Sequence, residues 1–445
     1  MKTLYTLIIA IIAFFTLLLT PAKAQEKASP LTHQEQQILL DSITVKLNVN
    51  YIFPDVATEM IASVQSKFKK GNYKSILDPQ EFGNTLTTDL QAISHDKHLS
   101  IRFAPERIAE QRQTVTAQDS LDYLNRSLDR MKRNNFGFKE VKILDGNIGY
   151  LNLSGFSDVE HGGETAVSAM NFLSNTDAII IDLRNNGGGS PQMIQLITSY
   201  LYESEPVHLN NFYWRPTDTH TQTWTLPHVS GKRSPNTPVY ILTSSYTFSA
   251  AEEFSYNLKN MERATLVGET TGGGAHPVDA LVATDRYMIW VPVGRAINPI
   301  TNTNWEGTGV SPHIAVASTD ALDVAQIKAL EVLLEESNDE ELNKFYNWNL
   351  TGLKAQMEPV DVDSKTLKSY TGYFGPRHVS FENNTLFYQR DKGTKHELVP
   401  LTQNEFKLKS SNSFRIRFMV ENGKTIGLEG HYDNGHSDKN LKDKD

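Results

Sequence analysis

The stretch from Val239 to Phe254, Val-Tyr-Ile-Leu-Thr-Ser-Ser-Tyr-Thr-Phe-Ser-Ala-Ala-Glu-Glu-Phe, restricts this chain more than any other segment. A β-type run, Val239 to Leu242, enters a Thr/Ser-rich turn, and a helix is expected to open at Ser249. A strand, turn and helix in that order place one hydroxyl at a helix mouth, where unpaired backbone N–H groups and the positive end of the helix dipole favour negative charge. A serine there can attack a carbonyl while neighbouring amides receive the oxyanion. The same serine also fits a plain N-cap, so the rest of the chain has to decide.

The N-terminus reads Met1-Lys2, an apolar run from Leu4 to Leu19, then Thr-Pro-Ala-Lys-Ala-Gln25. A basic start, an apolar core and an Ala-x-Ala end predict a secretory signal peptide over 1–24. The run is short for a bilayer span, and no later segment is long and apolar enough to be one. No cysteine follows it, which argues against a lipid-anchored precursor. The expected location is periplasmic or secreted. The chain of 445 residues holds no cysteine at all, so disulfides, thiolate nucleophiles and Cys-bound metals are excluded. A net charge of −9, made more negative when Lys2 and Lys23 leave, argues against nucleic acid and against an anionic membrane surface as partners.

Residues 25–103 read as a helical N-terminal domain. Thr32 caps a run with Gln36, Ile38, Leu39, Leu40, Ile43 and Leu47 on one face, Val56–Phe68 and Pro79–Ile93 are further amphipathic stretches, and His98–Phe103 is a strand. Residues 104–140 are polar with weak helical periodicity and read as a connector. From 141 to 336 short strands alternate with helices, which predicts an α/β core. Its strands are Ile148–Leu153, Ala178–Leu183, Val239–Leu242, Ala264–Gly268 and Tyr287–Val291. Residues 337–365, rich in Asn, Glu and Asp, read as a linker. Residues 366–445 alternate at period two between turns, giving a small antiparallel β domain that ends in a charged, disordered tail.

Three segments supply the chemistry that Ser249 would need. Asp182-Leu-Arg-Asn-Asn-Gly-Gly-Gly-Ser190 follows a strand, and its glycines let the backbone approach a ligand and aim amides outward. It also fits a tight turn, and a phosphate cradle less well because no Gly-Lys-Ser/Thr follows. Oxyanion donors at Gly188 and Ala250 suit an acyl-transfer site. Ser94-His-Asp-Lys-His98 offers an imidazole near neutral pKa, the usual base for a serine, although two histidines three apart also suit a metal or a surface loop. Asn304-Trp-Glu-Gly-Thr-Gly-Val-Ser-Pro312 offers Glu306, able to orient a histidine or simply to lie solvated in a turn.

Together, Asp182-Leu-Arg-Asn-Asn-Gly-Gly-Gly, Thr247-Phe-Ser-Ala-Ala-Glu-Glu-Phe, Val267-Gly-Glu-Thr-Thr-Gly-Gly-Gly274 and Glu306-Gly-Thr-Gly-Val-Ser-Pro resemble the C-terminal-processing (tail-specific) serine peptidase family, over roughly residues 30–320. The resemblance implies a ClpP/crotonase-like α/β catalytic core behind a helical region. Members with a Ser-Lys dyad carry lysine where this chain has Gly274, so the dyad is not available. The branch that includes the tricorn core and the interphotoreceptor retinoid-binding modules uses or descends from a Ser-His-Glu arrangement, and Asp96-Lys-His-Leu resembles its Asp-Gly-His segment. The resemblance therefore implies Ser249 as nucleophile, His98 as base and Glu306 as orienter, with Gly188 and Ala250 amides as the oxyanion hole. It implies no metal and no organic cofactor, and a protein or peptide substrate. Residues 104–140 are too short for the PDZ domain many members carry. The alternatives are a hydrophobic-ligand-binding module on the same fold, or another serine acyl hydrolase, which the missing Gly-x-Ser-x-Gly elbow disfavours.

Overall fold

The computed structural model describes residues 29–112 and 116–443. The segment read as a signal peptide lies outside the described residues. The described residues divide into two compact units: 29–112 together with 278–293, and 116–277 together with 294–443. Among the described residues no helix is long and apolar enough to cross a membrane.

The first unit is built on helices His33–Asn50, Pro54–Lys69 and Pro79–Ser94. Thr32 starts the first with a reciprocal cap: its hydroxyl accepts the Glu35 amide and the Glu35 carboxylate accepts its own amide. Leu39, Leu40, Ile43 and Leu47 form the buried face. Ile38, read on that face, is 50% exposed, because the stripe is centred one residue further on. The third helix ends at His95, in the left-handed conformation at φ 56°. The strand after it is Ser100–Phe103, shorter than expected, which leaves His98 in the preceding turn.

That strand pairs antiparallel with Tyr287–Pro292, which pairs with Val278–Val282. The stretch Tyr287–Val291 was expected in the α/β layer and belongs here instead. It is apolar on both faces, as a central strand would be, but helices cover it: the Tyr287 hydroxyl donates to Pro79 O at 2.8 Å and the Ile52 amide to Pro292 O at 2.9 Å.

The second unit centres on a six-stranded sheet ordered Ile314–Ala315, Thr265–Gly268, Val239–Thr243, Ala178–Asp182, Ile148–Leu153 and Phe138–Leu144. All neighbours are parallel except the last pair. Ala178–Asp182 and Val239–Thr243 are buried along their whole length, the signature of strands covered on both faces. Ile179, Ile181 and Ile241 join one core with Phe254 and Leu258, whereas Ile180, Tyr240 and Leu242 join the other with Ala325 and Leu330. The period-two alternation thus feeds two cores from one strand. A separate three-stranded sheet, Gly294–Ile297, His208–Trp214 and Thr219–Trp224, escaped the sequence reading because Thr219–Trp224 is almost wholly polar and exposed.

One further reading is filled in and two are corrected. The connector 104–140 carries helices Pro105–Arg112 and Ala117–Arg133. The linker 337–365 carries an 18-residue helix, Glu340–Met357, capped by Asp339. Its Tyr346 and Leu350 pack into the second core, at a four-residue spacing that the surrounding Asn and Glu obscured. The tail read as disordered contains strand Ser437–Leu441, paired with Lys424–Tyr432. It completes an eight-stranded antiparallel meander running in chain order from Gly372–Phe374. The Asp443 amide reaches back to Tyr373 O at 2.9 Å, joining the last strand to the first. The molecule is therefore α/β, with a helical N-terminal region, a central, mainly parallel sheet and a C-terminal antiparallel sheet.

Candidate active site

In the second unit, strands Ala178–Asp182 and Val239–Thr243 lie side by side in parallel and deliver their C-terminal turns to the same place. Cross-bonds lace the two turns together. Ser244 Oγ donates to Arg184 O at 2.5 Å, Thr247 Oγ1 to Leu183 O at 2.8 Å and the Phe248 amide to Asn186 O at 3.1 Å. The Thr/Ser richness of the turn is explained by this lacing: short hydroxyls replace backbone partners that an irregular loop lacks.

Gly188 sits directly against Ser249. Its φ is +109°, and a Cβ there would lie 2.8 Å from Ser249 Cβ and 3.1 Å from the Ala250 amide nitrogen. Only glycine allows that approach. Ser249 has φ 57° and ψ −122°, a conformation that L-residues avoid and that stores about 1–3 kcal/mol. Helix Ala250–Asn260 begins immediately after it. The Ala250 amide lies at the first position of that helix, where backbone N–H groups lack intrahelical partners, and its nitrogen is the atom that a Gly188 Cβ would approach to 3.1 Å. The Gly188 amide, by contrast, donates to Asn186 Oδ1 at 2.9 Å. Of the two residues expected to donate to an oxyanion, Ala250 opens the helix and Gly188 has its amide engaged by Asn186.

Glu306 lies in the turn after Trp305, whose indole N–H donates to Gly274 O at 2.8 Å. Its Oε2 accepts the amides of Ala275 at 2.5 Å and His276 at 3.2 Å, and stands 3.4 Å from His276 Nδ1. The segment 272–276 thus ties the Glu306 turn to the Ser249 turn, since the Gly272 amide donates to Thr247 O at 2.9 Å. Glu252, one turn into the helix, is fully buried and accepts from Ser249, Thr271, Gly273 and Gly274. Burial pushes its carboxyl above the usual range, and those four donors pull the other way.

Of the expected residues, Ser249, Gly188 and Ala250 converge in the second unit, and Glu306 is joined to them through the 271–276 loop. His98 belongs to the first unit, in the turn before Ser100–Phe103, where its amide donates to Asp96 Oδ1 at 3.1 Å. The sequence reading missed Glu252, His276 and Asn186. The Ser-x-x-Glu spacing of 249 and 252 is a capping-box pattern that signals Glu252. Nothing local marks His276.

Residues 147–316 match the model of peptidase family S41, and residues 23–130 match that of the N-terminal domain of the S41 peptidase in eukaryotic IRBP. The carboxyl-terminal-processing protease of a Synechocystis species is 33% identical over 130 residues, which is 28% of this chain and 28% of that protein. The match therefore spans little more than a quarter of that relative. A solved lipoprotein from Streptococcus agalactiae is 16% identical, with 67% of this chain and 96% of that one covered at a TM-score of 0.44. The photosystem II D1 C-terminal processing protease is 15% identical, with 65% and 94% covered at a TM-score of 0.41.

Proposed function

Because the chain belongs to peptidase family S41, we propose that it is an exported serine endopeptidase that cleaves protein or peptide substrates through an acyl-enzyme. The Ser249 hydroxyl attacks the scissile carbonyl as its proton passes to the His98 imidazole. Glu306 orients and charge-stabilises that imidazole. The carbonyl oxygen, now an oxyanion, takes the Ala250 amide. It takes the Gly188 amide once that group leaves Asn186 Oδ1. The imidazolium then protonates the departing amine, and water, deprotonated by the same histidine, releases the acyl group from Ser249.

The observation that carries the reading is the contact of Gly188 with a strained Ser249 at a helix mouth. A serine that merely capped a helix has no need of a left-handed φ or of a glycine pressed against its Cβ. The test is hydrolysis of an unstructured peptide by wild type and Ser249→Ala at equal folded concentration. Loss of turnover below detection is expected. Unchanged hydrolysis would remove Ser249 from the mechanism. A wild type that neither hydrolyses peptides nor reacts with a serine-directed reagent would favour the ligand-binding alternative, and one cleaving only esters the acyl-hydrolase alternative.

A second assignment of the base is favoured by the 3.4 Å approach of His276 Nδ1 to Glu306. His98→Ala is expected to lower kcat by about a thousandfold, the scale of general-base catalysis, and His276→Ala by far less. The reverse order of effects would make His276 the base.

A further inference from the structure

The Glu252 carboxylate holds together three segments that are far apart in sequence. Its Oε2 accepts the Ser249 amide at 2.9 Å and the Gly274 amide at 2.8 Å, and its Oε1 accepts the Gly273 amide at 2.6 Å and the Thr271 hydroxyl at 2.5 Å. The Thr271 hydroxyl oxygen accepts the Val310 amide at 2.7 Å, which brings in the turn that bears Glu306. The next two amides of the glycine-rich loop, Ala275 and His276, are given to Glu306 itself. Four consecutive N–H groups are thus divided between two carboxylates, the first anchored on the helix that Ser249 opens, the second being the proposed orienter.

A glutamate at the third position of a helix ordinarily accepts only the N-cap amide. This one has no exposed surface and four neutral donors, and among the described residues no cation pairs with it. Burying a carboxylate is costly, and each donor offsets part of that cost. The arrangement also has a mechanical consequence. The Ser249 amide is held by Glu252, so the strained φ of 57° is fixed by the same group that fixes the loop in front of Glu306. Nucleophile and orienter are therefore set from one buried point.

We propose that Glu252, acting with Thr271, is a positioning residue of the site: it fixes the Ser249 turn and the Glu306 loop in register and makes no contact with substrate. This rests on Ser249 being the nucleophile. Misplacement of reacting groups by about 1 Å can lower rates by about a hundredfold, so loss of this anchor falls on the chemical step. The variant Glu252→Gln keeps the shape but replaces one acceptor with a donor, which meets an N–H or O–H head on.

The experiment measures kcat, KM, melting temperature and the rate of labelling by a fluorophosphonate for wild type, Glu252→Gln, Thr271→Val, Thr271→Ser and Ser249→Ala. Expected are a fall in kcat and labelling rate of at least about tenfold in Glu252→Gln and in Thr271→Val, KM within about twofold, and near wild-type rates in Thr271→Ser, which keeps the hydroxyl. A purely structural role would lower the melting temperature but leave the labelling rate per folded molecule unchanged. Wild-type kcat and labelling in folded Glu252→Gln, with Ser249→Ala inert, would overturn the inference and leave the peptidase reading standing. An active Ser249→Ala would instead overturn that reading. Should Glu252→Gln not fold, Thr271→Val against Thr271→Ser decides alone, and equal rates in the two would overturn the proposal.

Discussion

The helix Ala250–Asn260 has two faces that treat neighbouring glutamates in opposite ways. Toward the glycine-rich loop, Glu252 is surrounded by four donors. Toward the strand His208–Trp214, Glu253 is also buried, and among the described residues its carboxylate has one partner, the Asn210 side-chain amide at 3.2 Å. Burial pushes the Glu253 carboxyl up to about 7, against the smaller opposing pull of Asn210. Two identical side chains, adjacent in sequence, thus do different work. One is an anchor that organises backbone around the site, the other a near-neutral group packed in a core. Donor supply separates them, since both have left water.

The largest expected effect breaks the first face. Glu252→Ala leaves the Ser249, Gly273 and Gly274 amides and the Thr271 hydroxyl without their acceptor, at a cost of about 3 kcal/mol in unfolding free energy. Chemical denaturation at neutral pH measures it. Glu253→Ala removes one partner only and is expected to cost clearly less. Equal losses from the two substitutions would erase the contrast.

The second effect sharpens it through pH. Glu253 binds its proton more tightly folded than unfolded, so the folded state is favoured at low pH. That advantage is complete below 4.5, the ordinary value for a solvated glutamate, declines as pH rises, and is gone above about 7. Glu253→Gln cannot ionise and is expected to remove this decline, leaving the variant with the flatter stability profile between pH 5 and 8. Denaturation midpoints across that range test it, and parallel profiles for variant and wild type would contradict a raised carboxyl.

The smallest effect concerns Ser249. Glycine accepts φ 57° and ψ −122° without strain, so Ser249→Gly is expected to raise stability by about 1 kcal/mol while abolishing turnover. A stability loss would mean that the serine side chain contributes more to the fold than its backbone costs.

Much of this site was legible from residue order. Strand, turn and helix around Ser249, the glycines after Asp182 and the Glu306 turn all stand where their local patterns place them, because each depends on neighbours within a few positions. The left-handed backbone of Ser249 could not be read, since serine rarely adopts it and the cause lies at Gly188 and Glu252. The role of Glu252 was half legible as a cap, but its other donors come from 19 to 22 residues away. Tyr287–Pro292 misled because a strand covered by helices and a strand inside a parallel sheet are equally apolar. Glu340–Met357 misled for the opposite reason, its polar face hiding Tyr346 and Leu350.

The account depends on an acylatable Ser249, and mass spectrometry of the wild-type protein after reaction with a fluorophosphonate addresses that most directly. One adduct per chain, located on the peptide containing Ser249 and absent from Ser249→Ala, is the predicted result. An unmodified Ser249 in a protein that still cleaves peptides, or an adduct on another residue that tracks with activity, would contradict it.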